Sequence, residues 1–139
     1  MMDVRRYILV FIGVSLGLWL LQLIVMLVFG FDISNGGMVV VPPLVAGAIE
    51  GNRYARRNGA LPTSSEMWKF SRLAALFVLG ITMVFTVIMA FTVPELRAMM
   101  SQGMGAGLLM GMVLIQATIA FLATRFFLGI GAKTGLKAQ

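Results

Sequence analysis

Long uncharged runs alternate with short charged clusters along this chain. The runs cover residues 7–31, 38–49 and 73–93, and a last one ends just before Arg125. Hydrophobic residues make up 60% of the sequence and charged residues only 12%, which is more apolar surface than 139 residues can bury in a water-soluble domain. The pattern predicts an all-α integral membrane protein with a single membrane domain over residues 1–139.

The runs and their flanking residues predict four transmembrane helices and a basic tail. The first run is read as a membrane anchor and not a signal peptide, because it is long and no small-residue cleavage pattern closes it. The expected ranges are about 7–31, 38–57, 64–93 and 104–128 for the helices and 129–139 for the tail.

The second of these helices has the weakest hydropathy signal for a crossing. Its uncharged run has only twelve residues, and Pro42-Pro43 interrupts it near its start. A re-entrant segment is the alternative on hydropathy alone. A full crossing requires the helix to continue through Glu50 and Arg53 to Arg57, with the long basic side chains reaching the headgroups.

Local signals place the ends of the third helix. Thr63 and Glu66 have the spacing of a capping box, in which each residue bonds the backbone amide of the other. Trp68 suits the headgroup boundary, with Arg72 one turn later in reach of a cation–aromatic contact. Pro94 ends the helix, and the polar segment that follows suits a short interfacial helix between the third and fourth crossings.

The basic residues set the expected orientation. With four crossings, ten of the eleven lysines and arginines lie on the side of the two termini and the central loop, and Arg97 alone lies on the other. The positive-inside bias predicts that both termini and the central loop face the cytoplasm. It also argues against antiparallel dimers, whose subunits insert with nearly balanced charge, while a parallel oligomer stays open.

Pairs of glycines four residues apart predict close helix packing. Two readings stay open for them: packing within the monomer, or contact with a partner protein. The candidate helix-packing residues are Gly13, Gly17, Gly47, Gly51, Gly103, Gly107 and Gly111.

Three polar residues are candidates for more than packing. Glu50 adjoins a membrane run, where a carboxylate can mark a proton or cation path, but Arg53 and Arg57 on nearly the same helix face favour an interfacial ion pair. Gln22 and Gln116 lie deep in the first and last helices, so both are expected to seek partners inside the bundle.

The amino-acid composition argues against several classes of function. The chain has no cysteine and no histidine, which removes thiol chemistry, imidazole catalysis and the usual zinc ligands. The twelve methionines are read as apolar filler and not as a cuprous site. Because the net charge of +6 comes from the flanks of apolar runs, nucleic acid is not an expected partner. No cofactor, no metal and no enzymatic activity are predicted.

The central segment resembles a known family. Residues 50–59, Glu-Gly-Asn-Arg-Tyr-Ala-Arg-Arg-Asn-Gly, with Pro62 and then Glu66-Met67-Trp68, are similar to the ABZJ-type family of short bacterial membrane proteins. The resemblance implies four helices over nearly the whole chain, with a Glu-Gly-x-Arg and Glu-x-Trp signature in the cytoplasmic loop. The family is uncharacterised, so it implies no substrate and no catalytic residues.

These sequence features leave two functions open. The first is a non-enzymatic accessory or scaffold subunit that associates with another membrane protein. The alternative is a small transporter or channel that acts as a parallel homo-oligomer, with Glu50, Gln22 and Gln116 near the path.

Overall fold

The computed structural model describes residues 2–32, 38 and 40–138, and within these residues it is all-helical with no strand. An all-α fold was the prediction, and it is confirmed. The elements in chain order are α1 (Val4–Phe29), α2 (Val41–Asn58), α3 (Ser64–Thr92), α4 (Pro94–Ser101) and α5 (Gly103–Lys137).

Side chains cap two of the helix starts. The Asp3 carboxylate accepts from the backbone amides of Arg5 and Arg6 at the start of α1. Thr63 and Glu66 form the predicted capping box, which is confirmed: the Glu66 amide donates to Thr63 Oγ1 at 3.3 Å, and the Thr63 amide donates to Glu66 Oε2 at 2.8 Å. These bonds satisfy amides that have no partner inside a helix, so they fix where each helix begins.

Three helices, not four, are long and apolar enough to cross a membrane among the described residues: α1, α3 and α5. The prediction of a fourth spanning helix at 38–57 is wrong in this respect; residue 39 of that range lies outside the described residues. Helix α2 has 18 residues, and four charged side chains fall in its second half. Such a helix lacks the roughly 20 apolar residues that a crossing needs.

The two prolines do not interrupt α2; they begin it. Pro42 and Pro43 lie in the first turn, directly after Val41. Amides in that turn have no carbonyl partner within a helix, so proline is tolerated there and its fixed φ favours the helix. The helix then ends at Asn58, with Gly59 in the left-handed conformation at φ 62°.

Helix α2 runs parallel to the second half of α5, with the two backbones in contact. Gly47 faces Thr124 and Gly51 faces Leu128, while Gly131 and Gly135 lie against Ala48 and Asn52. A Cβ atom on Gly51, Gly131 or Gly135 would collide with a carbonyl oxygen of the facing helix. Only glycine allows this approach, so the four glycines set the distance between the helices.

Helix α5 continues well past its predicted end. It has 35 residues, which is about 52 Å of helix, against roughly 30 Å of hydrocarbon in a bilayer. Where the sequence predicted a loosening tail from residue 129, the structure shows helix to Lys137, with Gly131, Ala132 and Gly135 buried. Contact with α2 supplies the packing that the tail sequence lacks by itself.

The core lies at one end of the bundle, where α1, α2, α3 and α5 meet. The rings of Tyr7 and Phe70 pack edge to face at 5.4 Å, and Tyr7 also stacks on Phe11 at 6.3 Å. Ala74 and Val78 of α3 are buried in the same cluster. This end also carries most of the arginines and is called the basic end below; α4 joins α3 to α5 at the opposite end.

Candidate functional site: Glu50 at the basic end

Glu50 is a buried carboxylate that joins α2 to the start of α1. Its side chain is 3% exposed, and Oε1 accepts a hydrogen bond of 2.6 Å from the backbone amide of Asp3. The amino-terminal end of a helix carries partial positive charge, which favours a carboxylate at this position. The other oxygen, Oε2, is also buried and has no hydrogen-bond partner among the described residues.

The ion pair that the sequence favours for Glu50 is not formed in the described structure. Arg53 and Arg57 instead line an open cavity of about 440 Å³ beside Glu50, together with Tyr54 and Asn58. The helix brings these groups to one face, as the spacing predicts, but Glu50 points toward α1 because the Asp3 amide binds it there. The result is a buried acceptor next to a polar, cationic cavity.

Burial raises the pKa of the Glu50 carboxyl above its ordinary value. The Asp3 amide opposes this shift by stabilising the charged form, the Asp3 carboxylate adds to it, and the charges of Arg6 and Arg57 oppose it. Because desolvation is the largest of these effects, the neutral form is favoured relative to a carboxyl in water. Chemically, the Glu50 carboxyl is therefore suited to carry a proton.

This raised pKa predicts a pH-dependent stability. A carboxyl whose pKa is higher in the folded state binds more protons there, so its contribution is complete below the unfolded pKa, near 4.5, and is lost as pH rises through the folded pKa. Glu50→Gln stays neutral throughout, so the stability of the variant relative to the parent should rise with pH across that window. Thermal unfolding in detergent at a series of pH values measures the difference, and parallel curves would contradict the assignment. Glu95→Gln, which removes an exposed carboxylate at the opposite end, controls for the loss of one charge.

A second buried polar contact joins α1 to α5 and was not predicted. Tyr7 and Thr124 are fully buried, and the Tyr7 hydroxyl lies 2.8 Å from Thr124 Oγ1. Ser71 of α3 is also fully buried, with its hydroxyl unpartnered among the described residues. The sequence offers one weak signal for the pair, since Tyr7 and Thr124 each stand at the charged end of an apolar run.

Trp68 makes a cation–π contact, but with a different arginine from the one that the sequence predicts. The guanidinium of Arg125, not Arg72, lies 5.2 Å from the Trp68 ring centroid. Arg125 also donates to Ser64 Oγ at 3.2 Å, so it ties the end of the apolar part of α5 to the start of α3. Contacts between residues so far apart in sequence depend on how the helices pair, which spacing along one helix does not reveal.

Gln22 and Gln116 do not join this site. Gln22 donates to Asp32 Oδ1 at 3.1 Å, near the end of α1 away from Tyr7. Gln116 is partly exposed and lies eight residues before Thr124, about 12 Å along α5. Neither glutamine lines the cavity beside Glu50.

The candidate glycines fall into two groups. Gly47 and Gly51 pack against α5 within the monomer. Gly131 and Gly135, which lie in the predicted tail, pack against α2 in the same contact. For the remaining five, a Cβ atom would meet no neighbouring atom of the described chain within 4 Å. These are Gly13, Gly17, Gly103, Gly107 and Gly111.

Comparison with family models, with curated proteins and with solved structures found no match. The resemblance to the ABZJ-type family, carried by residues 50–59, Pro62 and residues 66–68, therefore stays a prediction.

Proposed function

We propose that this chain is a non-enzymatic multi-pass protein of a bacterial cytoplasmic membrane, where it associates with another membrane protein as an accessory or scaffold subunit. The observation that carries the proposal is the packing of α1. Only Tyr7 and Phe11 of this helix are buried, and no residue beyond Phe11 is. Leu27, for example, is 84% exposed.

The outer part of α1 carries a pair of small residues that lipid contact alone does not need. Gly13 and Gly17 lie on one face of the helix, with no neighbouring atom of the described chain within 4 Å of a Cβ at either position. Small residues allow a second helix to approach closely, and Leu20 lies on the same face. A partner helix on this face accounts for the glycine pair.

The proposed orientation places the basic end in the cytoplasm. The start of α1, most of α2, the start of α3 and the end of α5 meet there, as the contacts of Asp3 with Glu50 and of Ser64 with Arg125 support. Helix α4, with Arg97, lies at the other end, where we place it at the outer interface. Because α2 runs parallel to α5, its carboxyl end brings the chain back to the basic end before α3 begins. The start of α1 and the end of α5 therefore lie on the same side of the membrane in this orientation.

Photo-crosslinking tests the association. A photoreactive amino acid at Leu20 or Leu27 of α1 should give a discrete crosslinked protein band, whereas the same probe at Leu122, an exposed leucine of α5, should give lipid adducts only. Purification in mild detergent should recover a heteromeric complex that contains the crosslinked protein. Gly13→Leu with Gly17→Leu should reduce the crosslinking yield at Leu20 about tenfold, since one lost helix contact of about 1.4 kcal/mol has that effect. No band at either α1 position would contradict the proposal.

A second candidate, a small transporter or channel acting as a parallel homo-oligomer, is favoured by one observation: Glu50 Oε2, beside the polar cavity, has no hydrogen-bond partner among the described residues. Against it, Gln22 lies 19 residues beyond Asp3, whose amide binds Glu50, and is therefore about 28 Å along α1 from that contact. The three candidate path residues therefore do not meet in one site of the monomer. A crosslink at Leu20 that joins two copies of this chain, with no other protein, would favour this candidate.

A further inference from the structure

A groove runs between α3 and α5 on the outer surface of the bundle. It has a volume of about 360 Å³, and its lining residues recur three or four apart on both helices. On α3 they include Ala75 and Leu79, and on α5 Leu114, Ala117 and Phe121. This spacing places each set on one helix face, so the groove follows both helices for about two turns.

Apart from Arg72 at one end, the residues that line the groove present no free polar group to a ligand. The one hydroxyl that lines it, on Thr118, already donates to the Leu114 carbonyl oxygen at 2.8 Å. The neighbouring leucines and alanines are apolar, and Leu76 and Leu114 are more than half exposed. A flexible hydrocarbon chain fits such a surface, whereas an extended peptide would leave its backbone groups unsatisfied.

One end of the groove is cationic, and no acidic side chain of the described residues lines it. Arg72 lines it there, at the basic end of α3. The only acidic residue on either helix is Glu66, and its oxygens already accept from Thr63 and Tyr54. Trp68 lies at the same end, with its ring 5.3 Å from that of Phe121 in the groove. An anionic group that meets Arg72 would supply the missing charge.

We propose that this groove binds one acyl chain of an anionic phospholipid, with the headgroup phosphate on Arg72. The apolar length and the cationic end match the two parts of such a lipid, and a guanidinium is well suited to phosphate. The inference rests on the placement of α3 and α5 in the membrane, and not on association with a partner protein.

Trp68 provides a local probe of this site. In a Trp19→Phe background it is the only tryptophan, since the chain has two. The protein is placed in phosphatidylcholine vesicles, and part of the lipid is replaced by phosphatidylglycerol or phosphatidylcholine brominated on the acyl chains, which quenches nearby tryptophan. Half-maximal quenching should need about fivefold less brominated phosphatidylglycerol than brominated phosphatidylcholine, the effect of one basic residue at an anionic surface.

Three variants separate the groove from general lipid contact. Arg72→Gln should remove the fivefold preference, and Ala117→Leu should reduce quenching by both lipids by filling the groove. Arg97→Gln, at the opposite end, should leave the preference intact. Equal quenching by the two lipids in the parent, or a preference that survives Arg72→Gln, would overturn the inference while the membrane placement stands. No quenching by either lipid would overturn both.

Discussion

Gly131→Ala should destabilise the folded protein by about 3 kcal/mol, the upper end of what overpacking usually costs. The added Cβ atom would collide with the backbone of Ala48 on α2. Flexible side chains can absorb an extra methyl group by changing rotamer, but here the obstacle is a carbonyl group within a helix. The two helices must therefore separate, which weakens the contact that holds α2 on α5.

Gly129→Ala is the matched control, two residues away on the same helix. A Cβ atom there meets no neighbour within 4 Å, and alanine favours a helix over glycine by up to about 1 kcal/mol. The control should therefore be neutral or slightly stabilising. Thermal unfolding in mild detergent, followed by near-ultraviolet circular dichroism, compares the two variants. Equal stability of the two proteins would show that the close α2–α5 approach does not occur.

Short-range features of the fold follow from the sequence. The capping box at Thr63 and Glu66 depends on residues three apart, and the third helix begins and ends within one residue of its predicted range. Long uncharged runs likewise predict α1 and most of α5, because hydrophobicity over about 20 residues is a property of the segment itself.

Features that depend on contacts between two helices of the chain do not follow from the sequence. Nothing in residues 129–137 alone predicts a helix, since three glycines weaken it, and only the contact with α2 shows why glycines are placed there. The same contact explains α2, which is stabilised by packing on α5 although it is too short and too charged to be recognised as a membrane span.

In the candidate site, too, the residues that are close in sequence are predictable and the contacts between distant segments are not. Glu50 stands out in the sequence as a carboxylate beside an apolar run, and its Arg53 and Arg57 neighbours follow from helical spacing. Its actual partner, the Asp3 amide, lies 47 residues away and is fixed by how α1 meets α2. For that reason the sequence predicts an interfacial ion pair where the structure has a buried carboxylate.

Labelling of single cysteines in intact cells tests the central claim, that α1, α3 and α5 cross the membrane, that α2 returns the chain to the basic end, and that this end faces the cytoplasm. The chain has no cysteine of its own, so each introduced thiol reports one position. Gln102→Cys, between α4 and α5, should react with a membrane-impermeant maleimide added outside. Ala60→Cys, between α2 and α3, and Thr134→Cys, near the end of α5, should react only after the cells are opened. Labelling of Ala60→Cys or Thr134→Cys from outside, or protection of Gln102→Cys, would contradict the account.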